Sequence, residues 1–162
     1  ARLPRWQREK ARILDWVDAH CWSERKQSYT LHAGDERLDA SLMLASRFGL
    51  ADERRERFIA TREAVRRELA DESGTLLWRY TGMRDCEGTF LACAFWMVEA
   101  YALLGERDQA RRIFEALVGR VANEVGLMPE MYDPRTGEGL GNVPQGLSHL
   151  ALIHAALSLS GE

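Results

Sequence analysis

A single carboxylate, Glu130, stands between Pro129 and Met131 in the stretch "GLMPEMYDPRTGEGLGNVPQGLSH", Gly126 to His149. The stretch is too rich in Gly and Pro to be a helix, although both flanks have helical periodicity. A carboxylate held among apolar residues has the chemistry of a general base toward water. A loop glutamate that caps a helix or pairs with a cation is the plainer alternative. A second stretch, "LLWRYTGMRDCEG", offers Trp78, Arg79, Tyr80, Arg84, Asp85 and Glu87. The first one adds Tyr132, Asp133, Asn142 and Gln145, and an earlier segment adds Trp22, Tyr29 and His32. Aromatic rings mixed with arginine, carboxylates and amides can stack on a sugar and hydrogen-bond its hydroxyls. Each has an ordinary structural role open to it. Arg79 pairs with a nearby acid, Glu87 serves the first turn of a helix, and "YDPRTG" is turn chemistry.

Other chemistries lack their signatures. His149 and His154 are five apart, so they share no helix face, and the HxxxH spacing of zinc enzymes is absent. "GEGLGN" has no preceding strand and is no nucleotide loop. Cys21, Cys86 and Cys93 follow no zinc spacing, and three is an odd number. They read as reduced thiols in a cytoplasmic protein. No metal and no organic cofactor is expected. Net charge is −3, and the Arg-rich run at 54–67 is interleaved with Glu, which argues against nucleic acid. No apolar run of roughly 18 residues is present, so no membrane span is expected. No secretory signal is visible in a chain that begins "ARLPRW".

The elements that must position these residues read as six helices and no strand. Amphipathic helices over 5–20, 52–70 and 106–121 alternate with nearly apolar ones at "RLDASLMLASRFG", "EGTFLACAFWMVEAYALLG" and "GLSHLALIHAALSL". An amphipathic helix lies at a surface, and one apolar all round must be enclosed. The expected fold is therefore all-α, with inner and outer helices alternating in hairpins. Connections from inside to outside are tight. Those from outside to inside are long: 21–36, 71–86 and 122–144. Antiparallel neighbours put successive connections at opposite ends, so the three long loops are expected at one end. Long loops on a helical frame are where function resides.

Five motifs occur in one order: "LDAS" at 38–41, "RY" at 79–80, "EGTF…FW" at 87–96, "PEMYDPRTGE" at 129–138 and "GNVPQGLSHLALIHAAL" at 141–157. Together they resemble the C-terminal half of glycoside hydrolase family fifteen, the glucoamylase/trehalase family, over essentially the whole chain. The resemblance implies about half of an (α/α)6 toroid, with residues 1–162 forming one partial domain. It implies an inverting hydrolysis of an α-linked glucosaccharide or of trehalose, with no cofactor. Glu130 matches the family's catalytic base. Arg79 and Tyr80 match a segment that contacts sugar, and Glu87 is implied as a further contact. Inversion needs a second carboxylic residue as acid. The family's acid lies upstream of the equivalent of Ala1, so the isolated chain is expected to be inactive. Many bacterial relatives read Glu-Glu or Glu-Gln where this chain reads Glu130-Met131. Half a ring also leaves apolar faces, to be covered by the missing N-terminal half or by self-association. The alternative of another class is a non-catalytic helical array that binds a protein or a sugar.

Overall fold

The computed structural model describes residues 3–161. Its longer helices are α1 (Leu3–His20), α3 (Arg55–Leu69), α4 (Leu91–Leu103), α5 (Arg107–Val121) and α6 (Gly146–Ser160), and α2 (Leu50–Glu53) is a single turn. The stripe on α5 is Ala110, Ile113, Leu117 and Val121, at helical spacing, and these four are its buried residues. Helix α4 is apolar all round, and eleven of its thirteen residues are buried, so it is the centre of the core. It packs on α6, on α5 and on the segment after Leu38. Burying each Leu, Phe or Met there contributes roughly 1.5–3 kcal/mol. The turn from α4 to α5 is a Schellman cap. Gly105 takes φ +89, its N–H bonds Ala102 O at 3.0 Å, and Glu106 N–H bonds Tyr101 O at 2.9 Å.

Two expected helices differ. "RLDASLMLASRFG" forms a 3-10 helix, Ala40–Ser46, instead of an inner α-helix. Its buried residues are Ala40, Met43 and Ser46, three apart, which is the period of a 3-10 helix. Phe48, counted in the apolar run, is 71% exposed. The charged helix expected over 52–70 is interrupted at Arg54, whose φ −134, ψ 44 separates α2 from α3. Among the described residues there are also five two-residue strands: β1 (Trp22–Ser23), β2 (Ser28–Tyr29), β3 (Thr89–Phe90), β4 (Met131–Tyr132) and β5 (Gly139–Leu140). The last three form one antiparallel sheet in the order β3–β4–β5.

The three long connections converge. Leu38 N–H donates to Thr81 Oγ1 at 2.9 Å, and Thr81 donates to Glu68, which also pairs with Lys26 of the first connection. The β3–β4 ladder joins the second connection to the third, pairing Thr89 with Tyr132 and Phe90 with Met131.

Candidate active site

Arg79 and Tyr80 are held by main chain. Tyr80 bridges Asp39, Ala40 N–H donates to Arg79 O at 2.7 Å, and Thr81 N–H donates to Leu38 O at 3.0 Å. "LDAS" and "RY", forty residues apart in sequence, thus lie edge to edge. The Arg79 side chain makes a two-pronged pair with Glu87, with Nε 2.8 Å from Oε1 and Nη2 donating to Oε2. Its guanidinium carbon stands 4.6 Å from the centre of the Phe90 ring. The Arg79 side chain is 41% exposed and that of Glu87 only 13%, so the acid lies beneath the base. Glu87 raises the pKa of Arg79 against the opposing effect of burial. Among the described residues nothing accepts from Arg79 Nη1.

Glu130 is fixed by its own loop. Its N–H donates to Asn142 O at 3.0 Å, and its O accepts from Leu91 N–H at 3.2 Å, at the start of α4. Its Oε2 accepts from Asn142 Nδ2 at 2.9 Å and from Asn142 N–H at 3.3 Å. No group among the described residues donates to Oε1. Gly141, between the two ends of this clamp, has φ +76, and a Cβ there would lie 2.8 Å from Glu130 Oε2. Only glycine fits.

The first turn of α6 holds the residues just before Glu130. Ser148 Oγ donates to Pro129 O at 2.8 Å, Gln145 N–H donates to Met128 O at 3.0 Å, and Met128 N–H reaches His149 Nε2 at 3.4 Å. His149 Nδ1 lies 2.7 Å from Gln145 O. The Nδ1–H tautomer satisfies both contacts, so His149 is a bonded structural histidine.

Several candidates fall outside this cluster. Tyr29 is 2% exposed and donates to Asp18, and Trp22 packs edge-on against it at 5.2 Å between ring centres. His32 pairs with Asp35. The first connection therefore ties α1 to α3. Trp78 is buried, its Nε1 donates to Glu87 O at 3.2 Å, and Arg84 stacks over it. Asp133 accepts from Arg135 N–H at 2.8 Å as a turn acid. Asn142 alone of the amides touches Glu130, and Gln145 caps α6. Asp39 was legible only as a letter of "LDAS", and Ser148 only as a helix serine. Among the described residues no group of three His, Cys, Asp or Glu side chains could hold a metal ion. No helix there is long and apolar enough to cross a membrane.

The site thus consists of helical hairpins whose long loops carry an arginine paired with a buried acid and a carboxylate clamped by an amide. The chain superposes on a wild-type glycosidase structure with a TM-score of 0.80 and 20% identity, over 95% of this chain and 44% of that one. A glycosidase variant in complex with glucose gives a TM-score of 0.79 at 20% identity, with the same coverage. The fold is accordingly about half of an (α/α)6 toroid. The chain belongs to Glycosyl hydrolases family 15, which matches residues 1–157. It is 40% identical over 140 residues to a trehalase of Mycolicibacterium smegmatis, covering 83% of this chain and 20% of the trehalase. It is 33% identical over 162 residues to a trehalase of Thermoplasma acidophilum, covering 98% of this chain and 28% of that protein. The chain thus spans between a fifth and a third of the length of these trehalases.

Proposed function

We propose that the chain supplies the general base and part of the glucose-binding wall of an inverting α-glucoside hydrolase that splits trehalose. The carrying observation is Glu130, a carboxylate with Oε2 clamped by Asn142 and Oε1 free. In this role Oε1 takes a proton from water as that water attacks the anomeric carbon, and the glycosidic bond breaks on the opposite face. A second carboxylic group, roughly 6.5–9.5 Å away, must protonate the departing oxygen. The resemblance assigns it to the half of the domain that precedes this one, so this chain alone is expected to be inactive. Arg79 donates to the sugar through Nη1, Tyr80 lines the same wall, and Glu87 contributes by holding Arg79.

Trehalose is favoured over other α-linked glucosaccharides because the chain is similar to trehalases. The exposed stripes Trp6–Ile13–Trp16 on α1 and Leu147–Leu150–Ile153–Leu157 on α6 are the faces that the rest of the ring, or a second copy, would cover. Three cysteines without a disulfide support a reducing, cytoplasmic setting.

Hydrolysis of trehalose and of maltooligosaccharides should be measured for this chain and for a form extended upstream by the rest of the domain. Activity is expected only in the extended form, and Glu130→Gln should lower kcat about 10²–10⁴-fold. Full activity of the Gln variant would sink the assignment of the base. No hydrolysis by either form, with glucose still bound, would favour a sugar-binding module, in which Met131 stands where relatives carry a second polar group.

A further inference from the structure

We infer that two copies of this chain close a ring, the apolar face of α6 in each copy seating in the apolar groove beside α1 of the other. The inference needs the half-ring fold and no catalytic role for Glu130.

Among the described residues, eight of the thirteen exposed large apolar side chains belong to two helices. Leu3, Trp6, Ile13 and Trp16 lie on α1, and Leu147, Leu150, Ile153 and Leu157 lie on α6. These helices stand at opposite ends of the array. Helix α6 packs on α4 and α5, whereas α1 is tied to α2 and α3 through Lys10–Glu53 and through Asp18. The uncovered surface has the size of an interface. The chain exposes 9096 Å², whereas a folded monomer of 18.5 kDa exposes roughly 8,200 Å². The excess, about 900 Å², is close to the roughly 800 Å² that each partner loses in a standard interface.

The two faces match in chemistry and in length. Helix α6 contains no Asp, Glu, Lys or Arg. Its stripe from Leu147 to Leu157 is roughly 15 Å long at ~1.5 Å per residue. The groove has a cavity volume of ≈ 530 Å³, with Leu42 and Ala45 of the 3-10 helix in its wall. Along α1 it runs from Trp6 to Val17, roughly 17 Å. A head-to-tail contact closes into a ring only when the rotation it repeats completes a full turn. This chain is about half of an (α/α)6 ring, so its two ends are about half a turn apart. A second copy, related by a twofold rotation about the ring axis, therefore supplies the neighbour of both faces. That rotation keeps the long loops of both copies at one end. Helix α1 runs into the first long connection and α6 runs out of the third, so the two helices meet antiparallel. Leu147 then lies toward Val17, Leu150 toward Ile13 and Leu157 toward Trp6.

The mass of the chain should be measured by light scattering from about 1 to 100 μM, since interfaces of this size bind at micromolar strength or tighter. The unmodified chain is expected at twice 18.5 kDa, and as a monomer with both faces wet once diluted below its dissociation constant. Leu150→Glu and Ile13→Lys change side chains that are 56% and 62% exposed, so both variants should fold. Each alone is expected to weaken pairing about a hundredfold or more, because it puts two unpaired charges into the pair. Mixed in equal amounts the two variants should pair again, since one interface is then intact and the other joins opposite charges. A chain that is monomeric over the whole range would overturn the inference, and so would two monomeric variants that do not pair on mixing. Pairing broken by one variant and untouched by the other would overturn it too, because two like faces would then be meeting. Masses that grow beyond two copies would mean ends that are not half a turn apart, and would also overturn it. A monomeric chain, with the extended form destabilised by Leu150→Glu, would give the faces to the rest of the ring instead. Glu130→Gln should pair as the unmodified chain does, so failure of the base would leave the inference standing.

Discussion

Helices α4 and α1 both carry large apolar side chains and meet opposite fates, α4 being apolar nearly all round and α1 interleaving its Trp, Ile and Leu with charged residues. Eleven of the thirteen residues of α4 are buried, whereas none of the eighteen residues of α1 is. Trp6, Ile13 and Trp16 of α1 are 63%, 62% and 52% exposed. Helix α4 has α6, α5 and the 3-10 helix around it. Helix α1 is held by polar ties instead: Asp18 to Tyr29, Arg54 and Arg57, and Lys10 to Glu53. Between α1 and the body lies an apolar groove with a cavity volume of ≈ 530 Å³, reached by Trp6, Ile13, Val17, Leu42, Phe48 and Phe58. In a ring, a helix is buried by neighbours on both sides, and the large apolar side chains of α1 stay exposed where such a neighbour is missing.

Three measurements probe this difference between α4 and α1. The largest effect is expected at the centre of α4. Phe95→Ala should cost about 3–5 kcal/mol in urea unfolding, since Phe95 is fully buried and packs on Phe114. A cost below 1 kcal/mol would show that α4 is not the centre of the core. A smaller effect should appear in acid. Burial pushes the Asp18 carboxyl up, but bonds from Tyr29 and Arg54 outweigh it and hold the pKa below the usual carboxylate range. A folded pKa below the unfolded value near ~3.9 means that the tie is at full strength above that pH. It is lost as pH falls through the folded value. Amides of α1 should then exchange hydrogen faster below pH ~4 while those of α4 stay protected. Simultaneous loss in both helices would contradict the polar tethering of α1. The smallest effect is expected for Ile13→Ala, within about 0.5 kcal/mol in this chain, because its side chain is already wet. In the extended form the same substitution should cost more, as burial against a neighbour makes it a core position.

Periodicity made most of this fold legible, and the reason is visible in α5, whose buried stripe is its apolar stripe. It failed at 40–46, where Ala40, Met43 and Ser46 also suit an α-helical face over so short a run. Within the candidate site, residue types offered Arg79, Glu87 and Glu130 among many candidates and the resemblance singled them out, but neither gave their relations. That Glu87 lies under Arg79 depends on the second connection folding back on itself, with Phe90 N–H donating to Leu77 O and Trp78 Nε1 to Glu87 O, and that Asn142 holds Glu130 depends on the β4–β5 register. Trp22, Tyr29 and His32 had the right chemistry and the right kind of loop. Their connection folds back on α1 and α3, and no local pattern encodes that direction. Ser148 and His149 act on Met128 and Pro129 only because α6 begins beside them, a tertiary fact.

The clamp on Glu130 is local in the chain. Both ends of it, Glu130 and Asn142, are twelve residues apart and joined by the β4–β5 hairpin. A loop that short closes at little entropic cost, and hairpins of this kind form in roughly 1–10 μs. The side-chain clamp on the carboxylate therefore needs only short-range pairing, while the bond from Leu91 N–H to Glu130 O and the contacts of α6 fix where the hairpin sits. Under the function proposed above, whatever completes the ring then has to set the distance from this carboxylate to an acid, because Asn142 already fixes one of its oxygens.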